Sequence, residues 1–242
     1  MVHVLDAFWE KRNLGVDVVE VTCSEKDDAV EIETVLKKIT VPYSVVKVPC
    51  GQTNLIQQVQ KCGYQYIETS FQVEFKGKEI ILPRMYQRFL PYIKIEEASN
   101  VLKEKVLNEI KEGMIFETDR IARDPFFGVQ KAGRRYYNWA TDELNKGAYL
   151  AIAFYKDVPV AFGINYHREE EVYDAFLGGT FSEEAHRGLG FLSLYANMKS
   201  IEKQGGKVIT TRLSSNNSPI LRLHMQYGYE IKSMQDIFIK HL

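Results

Sequence analysis

The stretch of this chain with the most chemistry in it is residues 176–195, FLGGTFSEEAHRGLGFLSLY. A strand-like run ends at Phe181, an acidic turn follows, and His186-Arg187-Gly188-Leu189-Gly190-Phe191 opens a helix. The first N–H groups of a helix have no partner within it, and glycine lets a ligand come close to the backbone. Added to the positive end of the helix dipole, this makes an anion site suited to a pyrophosphate. Gly188, Leu189, Gly190 and Phe191 would form the cradle, and Arg187 would add a charge-assisted contact. A dinucleotide-binding turn needs a third glycine where Ser193 stands, and an acid where the next strand ends in Leu213-Ser214-Ser215. Gly205-Gly206-Lys207-Val208 lacks the Ser or Thr of a P-loop.

Other chemistry-bearing residues are scattered. Asp174 stands in a strand that is otherwise apolar from Ala175 onward, whereas the acidic run 169–171 reads as a solvated turn. His224 lies in a short helix that follows Ser214-Ser215-Asn216-Asn217-Ser218 and ends in Tyr227-Gly228-Tyr229. Arg120 and Arg123 suit a diphosphate, and Tyr137 and Trp139 suit a sugar or a base. Cys23, Cys50 and Cys62 have no base or turn signature beside them, and the five histidines lack zinc spacing, so neither a nucleophilic thiol nor a metal is expected.

These residues must be held by ordinary packed elements. In 242 residues, 31 basic side chains nearly cancel 32 acidic ones, which argues against a nucleic-acid binder or a polybasic membrane anchor. The longest apolar run, 148–155, is far short of a membrane span, and the first residues lack signal-peptide order; a cytoplasmic protein is expected. Strand signals fall at 16–21, 43–48 and 64–75, with helices at 27–38 and 53–62. Lys76-Gly77-Lys78 reads as a hairpin turn into a strand at 79–82, and Pro83 and Pro91 bracket an aromatic connector. From about residue 96 come helices ending at Gly113 and spanning 128–146, then strands 148–155, 158–166 and 172–181. A helix at 188–204, a strand at 207–213, a helix at 218–226 and a strand at 229–240 complete the chain. Helices between strands predict an α/β or α+β architecture, divided as residues 1–95 and 96–242. LIQQVQKCGY at 55–64 and ILRLHMQYGY at 220–229 share Gly-Tyr after a helix, so the first unit reads as a partial copy of the second.

The order of glycine-opened helix, strand, Asn-initiated helix and Gly-aromatic strand resembles the GNAT superfamily of acetyl-CoA-dependent N-acyltransferases. In the motif Gln/Arg-x-x-Gly-x-Gly/Ala, Ala185 takes the first place, a departure, with Gly188 fourth and Gly190 sixth. Asn217 and Gly228-Tyr229 match the later motif, where His224 replaces the usual tyrosine. The resemblance covers residues 117–242. Phe116-Glu117-Thr118-Asp119-Arg120 and Arg135-Tyr136-Tyr137-Asn138-Trp139 are similar to the two-domain branch that acetylates nucleotide-linked deoxyamino sugars.

The resemblance implies a mixed sheet with a splayed parallel strand pair, acetyl-CoA as co-substrate without a metal, and direct attack by the primary amine of a small molecule. Gly179, Thr180 and Phe181 would bond the pantetheine through their backbone, with Gly178-Gly179 as a bulge, and Asn217 would lie on the cofactor side. His224 would protonate the leaving thiolate and Asp174 would act as base, with His167, Glu169, Glu170, Glu171, Glu68 or a water relay as the alternatives; Glu68, Arg120 and Tyr137 would meet the acceptor. Tyr227 or solvent is the alternative acid. Partners would include neither nucleic acid nor membrane, and a homodimer is an open option. Two other readings stay open: aminoacyl transfer to a cell-wall precursor, and a non-catalytic acyl-CoA sensor or interaction module.

Overall fold

β-Branched runs and amphipathic helices alternate along the chain, and the backbone follows that alternation. The computed structural model describes residues 2–77, 79–113 and 116–242, without the side chains of 185–187. The first half runs β1 (His3–Asp6), α1 (Trp9–Leu14), β2 (Val18–Thr22), α2 (Ala29–Leu36), β3 (Tyr43–Pro49), α3 (Thr53–Lys61) and β4 (Gln65–Lys76). A 3-10 segment, Arg84–Tyr92, leads to β5 (Ile93–Glu97), α4 (Asn100–Glu112), α5 (Arg120–Arg123) and α6 (Gly128–Asn145). Then follow β6 (Tyr149–Tyr155), β7 (Val158–Glu169), β8 (Val172–Thr180), α7 (Phe191–Lys203), β9 (Val208–Ser214), α8 (Ser218–Gln226) and β10 (Glu230–His241).

The strands form one mixed sheet in the order β1-β2-β3-β10-β4-β9-β8-β7-β6-β5. Alternate residues of a strand face opposite sides, so each face gathers its own core. Leu150, Ile152, Phe162, Ile237 and Ile239 face α4, α5 and α6. On the other face Ala151, Ala153 and Ala161 pack against α7, and Val46 and Phe238 against α2 and α3.

The last strand of each half is inserted next to the other half: β10 pairs with β3 and β4, and β4 pairs with β9. The two similar decapeptides precede these exchanged strands. Gly63 and Gly228 both adopt a left-handed φ, 86° and 89°. Tyr64 N–H bonds back to Val59 O and Tyr229 N–H to His224 O, the same helix-ending motif. Exchange also explains why 79–82 form no strand, against expectation. Both edges of β4 are already paired, which leaves a hairpin return nothing to pair with.

Parallel strands β8 and β9 flank α7 and pair only at Val172–Val208, Tyr173–Ile209 and Asp174–Thr210. On the far side of β8, the register with β7 slips between Ile164–Leu177 and Tyr166–Asp174. Ala175 and Phe176 therefore stand opposite the single residue Asn165, which is a bulge. The expected bulge at Gly178-Gly179 is corrected: those glycines pair regularly with Gly163 and Phe162. Gly163 and Gly178 instead let α7 come close. Asn197 packs over them, its amide donating to the Leu177 carbonyl at 2.9 Å. Asn165 donates to Ser200 Oγ at 2.9 Å and to Asn197 Oδ1 at 3.3 Å, and Gln204 donates to Asn165 Oδ1 at 3.1 Å.

A Cβ on Gly163 would lie 2.5 Å from Asn197 Cγ, so Gly163→Ala must displace this network. It should destabilise the protein by about 1–3 kcal/mol, read as a lower denaturant midpoint at unchanged slope.

Candidate functional site

Beyond Asp174–Thr210 the facing edges of β8 and β9 have no ladder between them; Thr211 Oγ1 reaches across once, donating to the Ala175 carbonyl at 2.7 Å. The slot so opened holds a cavity of about 170 Å³. Ala175 to Gly178 form one wall and Thr211 to Ser214 the other. Ser193, Asn197 and His224 close it on the α7–α8 face, and Phe116, Asp119 and Tyr136 on the α5–α6 face. Its lining therefore comes from both faces of the sheet.

At the end of α7 nearest β8, Gly188 has φ +68°, and a Cβ on Gly188 or Gly190 would meet nothing within 4 Å among the described residues. Leu189 and Phe191 bury their side chains, so they present only backbone to a ligand. Phe191 stacks on Tyr86 of the aromatic connector at 4.1 Å between ring centres, which anchors the turn. The Arg187 side chain lies outside the described residues, as does that of Ala185. Gly179 and Thr180 extend β8 beyond the cavity wall in pairing with β7. For Phe181 the expectation is corrected: its N–H is taken by the Val160 carbonyl at 3.1 Å and its ring is buried. Asn217 lines the slot and caps α8, accepting the Ile220 N–H at 3.3 Å.

A second cavity of about 370 Å³ adjoins the slot on the α5–α6 face, sharing Asp119, Tyr136, Phe176, Arg212, Leu213 and Ser214 with it. Glu68, Arg120 and Asp174, which lie far apart in sequence, meet there. Tyr137 does not line it. Successive helix residues point about 100° apart, and its neighbour Tyr136 takes that place, donating to Asp119 Oδ2 at 2.8 Å. The Tyr137 ring lies instead under Lys111, at 5.7 Å.

Three of the four acids of this cavity, Glu20, Glu68 and Asp174, are not alike. Glu20 is held below its ordinary pKa: burial pushes it up, but Lys47 at 2.6 Å and Arg120 at 3.4 Å outweigh that. Asp174 is pushed up by burial, which Arg168 at 3.4 Å, a hydrogen bond from Thr210 and the more distant Arg212 offset only in part. Glu68 is also raised by burial, against Arg120 and a hydrogen bond from Ser214. Raised carboxyls in a cleft are candidates for proton transfer.

His224 departs furthest from expectation. It is buried, packed edge-on against Tyr229, and its Nδ1 lies 2.8 Å from the Ile220 carbonyl. A carbonyl only accepts, so Nδ1 carries the proton and Nε2 of the neutral ring carries none. Burial pulls the pKa down to about 4. A neutral ring with this tautomer has no proton to give a thiolate, which corrects the acid role. Tyr227 is no substitute, since it lies outside the slot lining, near Tyr195, Tyr86 and Tyr229. Sequence reasoning missed Asn197, Ser193 and Ser200 as well as Ser214. The first three, with Gln204, form a polar stripe at helical spacing on a face of α7 that is otherwise apolar, which is a legible signal.

The first half repeats the arrangement without the opening. β2 and β3 are parallel and pair through all five residues from Val18–Tyr43 to Thr22–Lys47. Asp28, not a glycine turn, caps the helix between them.

No protein-family model matches the chain, and no curated protein matches it. Solved structures do. A GCN5-related N-acetyltransferase from Sphaerobacter thermophilus superposes with a TM-score of 0.63 at 11% identity, covering 99% of this chain and 76% of that one. A GCN5-related N-acetyltransferase from Kribbella flavida gives 0.59 at 15% identity, covering 93% and 81%. A tandem GNAT protein from the clavulanic acid biosynthesis pathway gives 0.52 at 10% identity, covering 93% and 75%. The chain has the GNAT fold.

Burial of neutral His224 predicts a pH effect. Between about pH 6.5 and 4 the unfolded chain binds a proton that the folded one refuses, so stability falls as pH drops through that window. Glu68 and Asp174, raised in the fold, act in the opposite sense as pH falls. His224→Gln should therefore flatten the acid-side loss relative to wild type, measured as thermal midpoint against pH.

Proposed function

We propose that this protein is an acetyl-CoA-dependent N-acetyltransferase of small primary amines. The observation that carries the proposal is the slot in the sheet, which opens where the β8–β9 ladder stops and leads into a cavity lined by raised carboxyls. Acetyl-CoA would supply an activated acyl group as a thioester. Its pyrophosphate would lie on the Gly188–Phe191 backbone, where open space over Gly190 suits close approach. Unladdered backbone along 175–178 would take its amide groups as a strand takes a neighbour, and an N–H there would polarise the acyl carbonyl.

The acceptor amine enters the second cavity. An amine arrives protonated, and Asp174 removes the proton so that the nitrogen lone pair is free to attack. No strong acid is required for departure of sulfur, because a thiol of pKa about 8.5 leaves readily as thiolate. Residues 96–242 carry the acyl-CoA site in this proposal, and residues 1–95 complete the acceptor cavity through Glu20, Lys47 and Glu68. Arg120, Arg168 and Arg212 beside Tyr136 and Trp139 favour an acceptor with a sugar and phosphates, so an amino-sugar nucleotide heads the amine panel.

Two substitutions separate the parts. Gly190→Glu places a carboxylate against the phosphates in space that is now open, so the variant should fold but bind acetyl-CoA ~100-fold more weakly or not at all. Calorimetry reads this, and unchanged affinity defeats the cofactor assignment. Asp174→Asn should bind acetyl-CoA normally and lose roughly 10²–10⁴-fold in kcat/KM, followed by thiol release over the amine panel.

A further inference from the structure

We infer that Ser214 is a catalytic residue of this acyl transfer and that, with Glu68 holding its proton, it carries the amine's last proton to the departing sulfur. The inference rests on the acetyltransferase reading and extends it to a residue that the sequence motifs do not mark. Ser214 ends β9 and lines both the slot and the acceptor cavity. Its hydroxyl donates to Glu68 Oε2 at 2.5 Å and accepts the Asn216 N–H at 3.1 Å. A hydroxyl has one proton and two lone pairs, so one lone pair of Oγ remains for a substrate N–H.

The pair is locked by contacts between the two halves of the chain. Ser70 pairs with Ser214 across the β4–β9 ladder. Thr69 N–H donates to Ser215 Oγ at 2.9 Å, and Ser215 N–H donates to the Thr69 carbonyl at 2.8 Å. Asn216 donates to the Ile67 carbonyl at 3.4 Å. Glu68 thus reaches the acceptor cavity from the first half, beside the slot, because β4 is exchanged into the neighbourhood of β9.

The protons balance. An ammonium acceptor loses one proton to Asp174 before attack, and that proton goes on to solvent. As the C–N bond forms, the nitrogen must lose a second proton. As the C–S bond breaks, its electron pair stays on sulfur, and the thiolate so formed takes one up. The N–H proton passes to Ser214 Oγ while the hydroxyl proton passes to Glu68. Return of that proton from Glu68 to Oγ releases one from Oγ to sulfur. Ser214 and Glu68 end as they began, and nothing is oxidised or reduced. His224, in the same slot, holds its proton toward Ile220 and has none to supply.

Titration of Glu68 is an accessible signature. The charged groups facing it are Asp119, Arg120 and Arg135 from the helical side, Glu20 and Lys47 from β2 and β3, and Asp174, Arg168 and Arg212 from the strands beyond. The Ser214 hydrogen bond favours its carboxylate, so removing that bond must raise its pKa further.

The test uses the full chain. Ser214→Ala and Glu68→Gln should each lower kcat roughly 10²–10⁴-fold with acetyl-CoA affinity within about threefold of wild type. The double variant should be no slower than the slower single, because the two act as a unit. Ser214→Thr, which keeps the hydroxyl, should recover most of the turnover and guards against misfolding of the alanine variant. In the ligand-free protein, a carboxyl NMR titration should place Glu68 above an ordinary glutamate, and higher still in Ser214→Ala. Near-normal turnover in folded Ser214→Ala, losses that simply multiply in the double variant, or a Glu68 titration indifferent to Ser214→Ala would each overturn the relay. If the wild-type protein binds no acetyl-CoA, the functional reading fails instead, and the titration still decides whether the two side chains are coupled.

Discussion

Everything at the candidate site follows from a ladder that stops early. β8 and β9 pair over three residues, and then the extra residue opposite Asn165 turns β8 away. A bulge in isolation would relax, because unpaired backbone groups in an interior cost about 1–3 kcal/mol each. Here α7 holds it. Asn165, fully buried, is bonded by Asn197, Ser200 and Gln204, and Asn197 ties down the Leu177 carbonyl on the diverging strand. The network is satisfied on all its members, the condition under which buried polar groups specify a geometry instead of destabilising it. The edge left beyond it has no ladder partner on β9.

Strand exchange gives the second layer of the design. The sheet reads β2-β3-β10-β4-β9-β8 through its middle, so each half's parallel pair is followed in space by the other half's last strand. One parallel pair is zipped and the other is open, which leaves a single slot in a sheet built from two similar runs. The zipped pair still contributes. Glu20 and Lys47 come from it, and Glu68 comes from the strand exchanged beside β9. A cavity with walls from both halves is a consequence of this topology.

The same cavity shows how partner geometry decides protonation. Glu20, Glu68 and Asp174 all suffer burial, but only Glu20 has two cations close enough to overcome it. A hydroxyl and more distant arginines for Glu68, or one arginine at 3.4 Å with Thr210 and Arg212 for Asp174, are too little. Burial thus keeps two carboxyls receptive to protons while the third serves as a fixed anion for Lys47 and Arg120.

The sequence by itself determined the alternation of strands and helices, the glycine turn before α7, the Asn cap of α8 and the likeness of the two Gly-Tyr endings. Those are local matters of periodicity, capping and left-handed glycines, and they need no knowledge of distant residues. The meeting of Glu68, Arg120 and Asp174 in one cavity was foreseeable only through the family resemblance. Only the tertiary structure decided the rest. The bulge lies at Ala175 and Phe176 because register is a property of two strands, not one. The strand expected at 79–82 is absent because both edges of β4 are occupied. Tyr136 displaces Tyr137 because the helix meets the cavity on one face. His224 loses the acid role because burial and the Ile220 carbonyl fix its charge and tautomer. Ser214 gains a partner because a strand from the other half lies beside it, and pairing across 146 residues is set by the packing of the whole sheet.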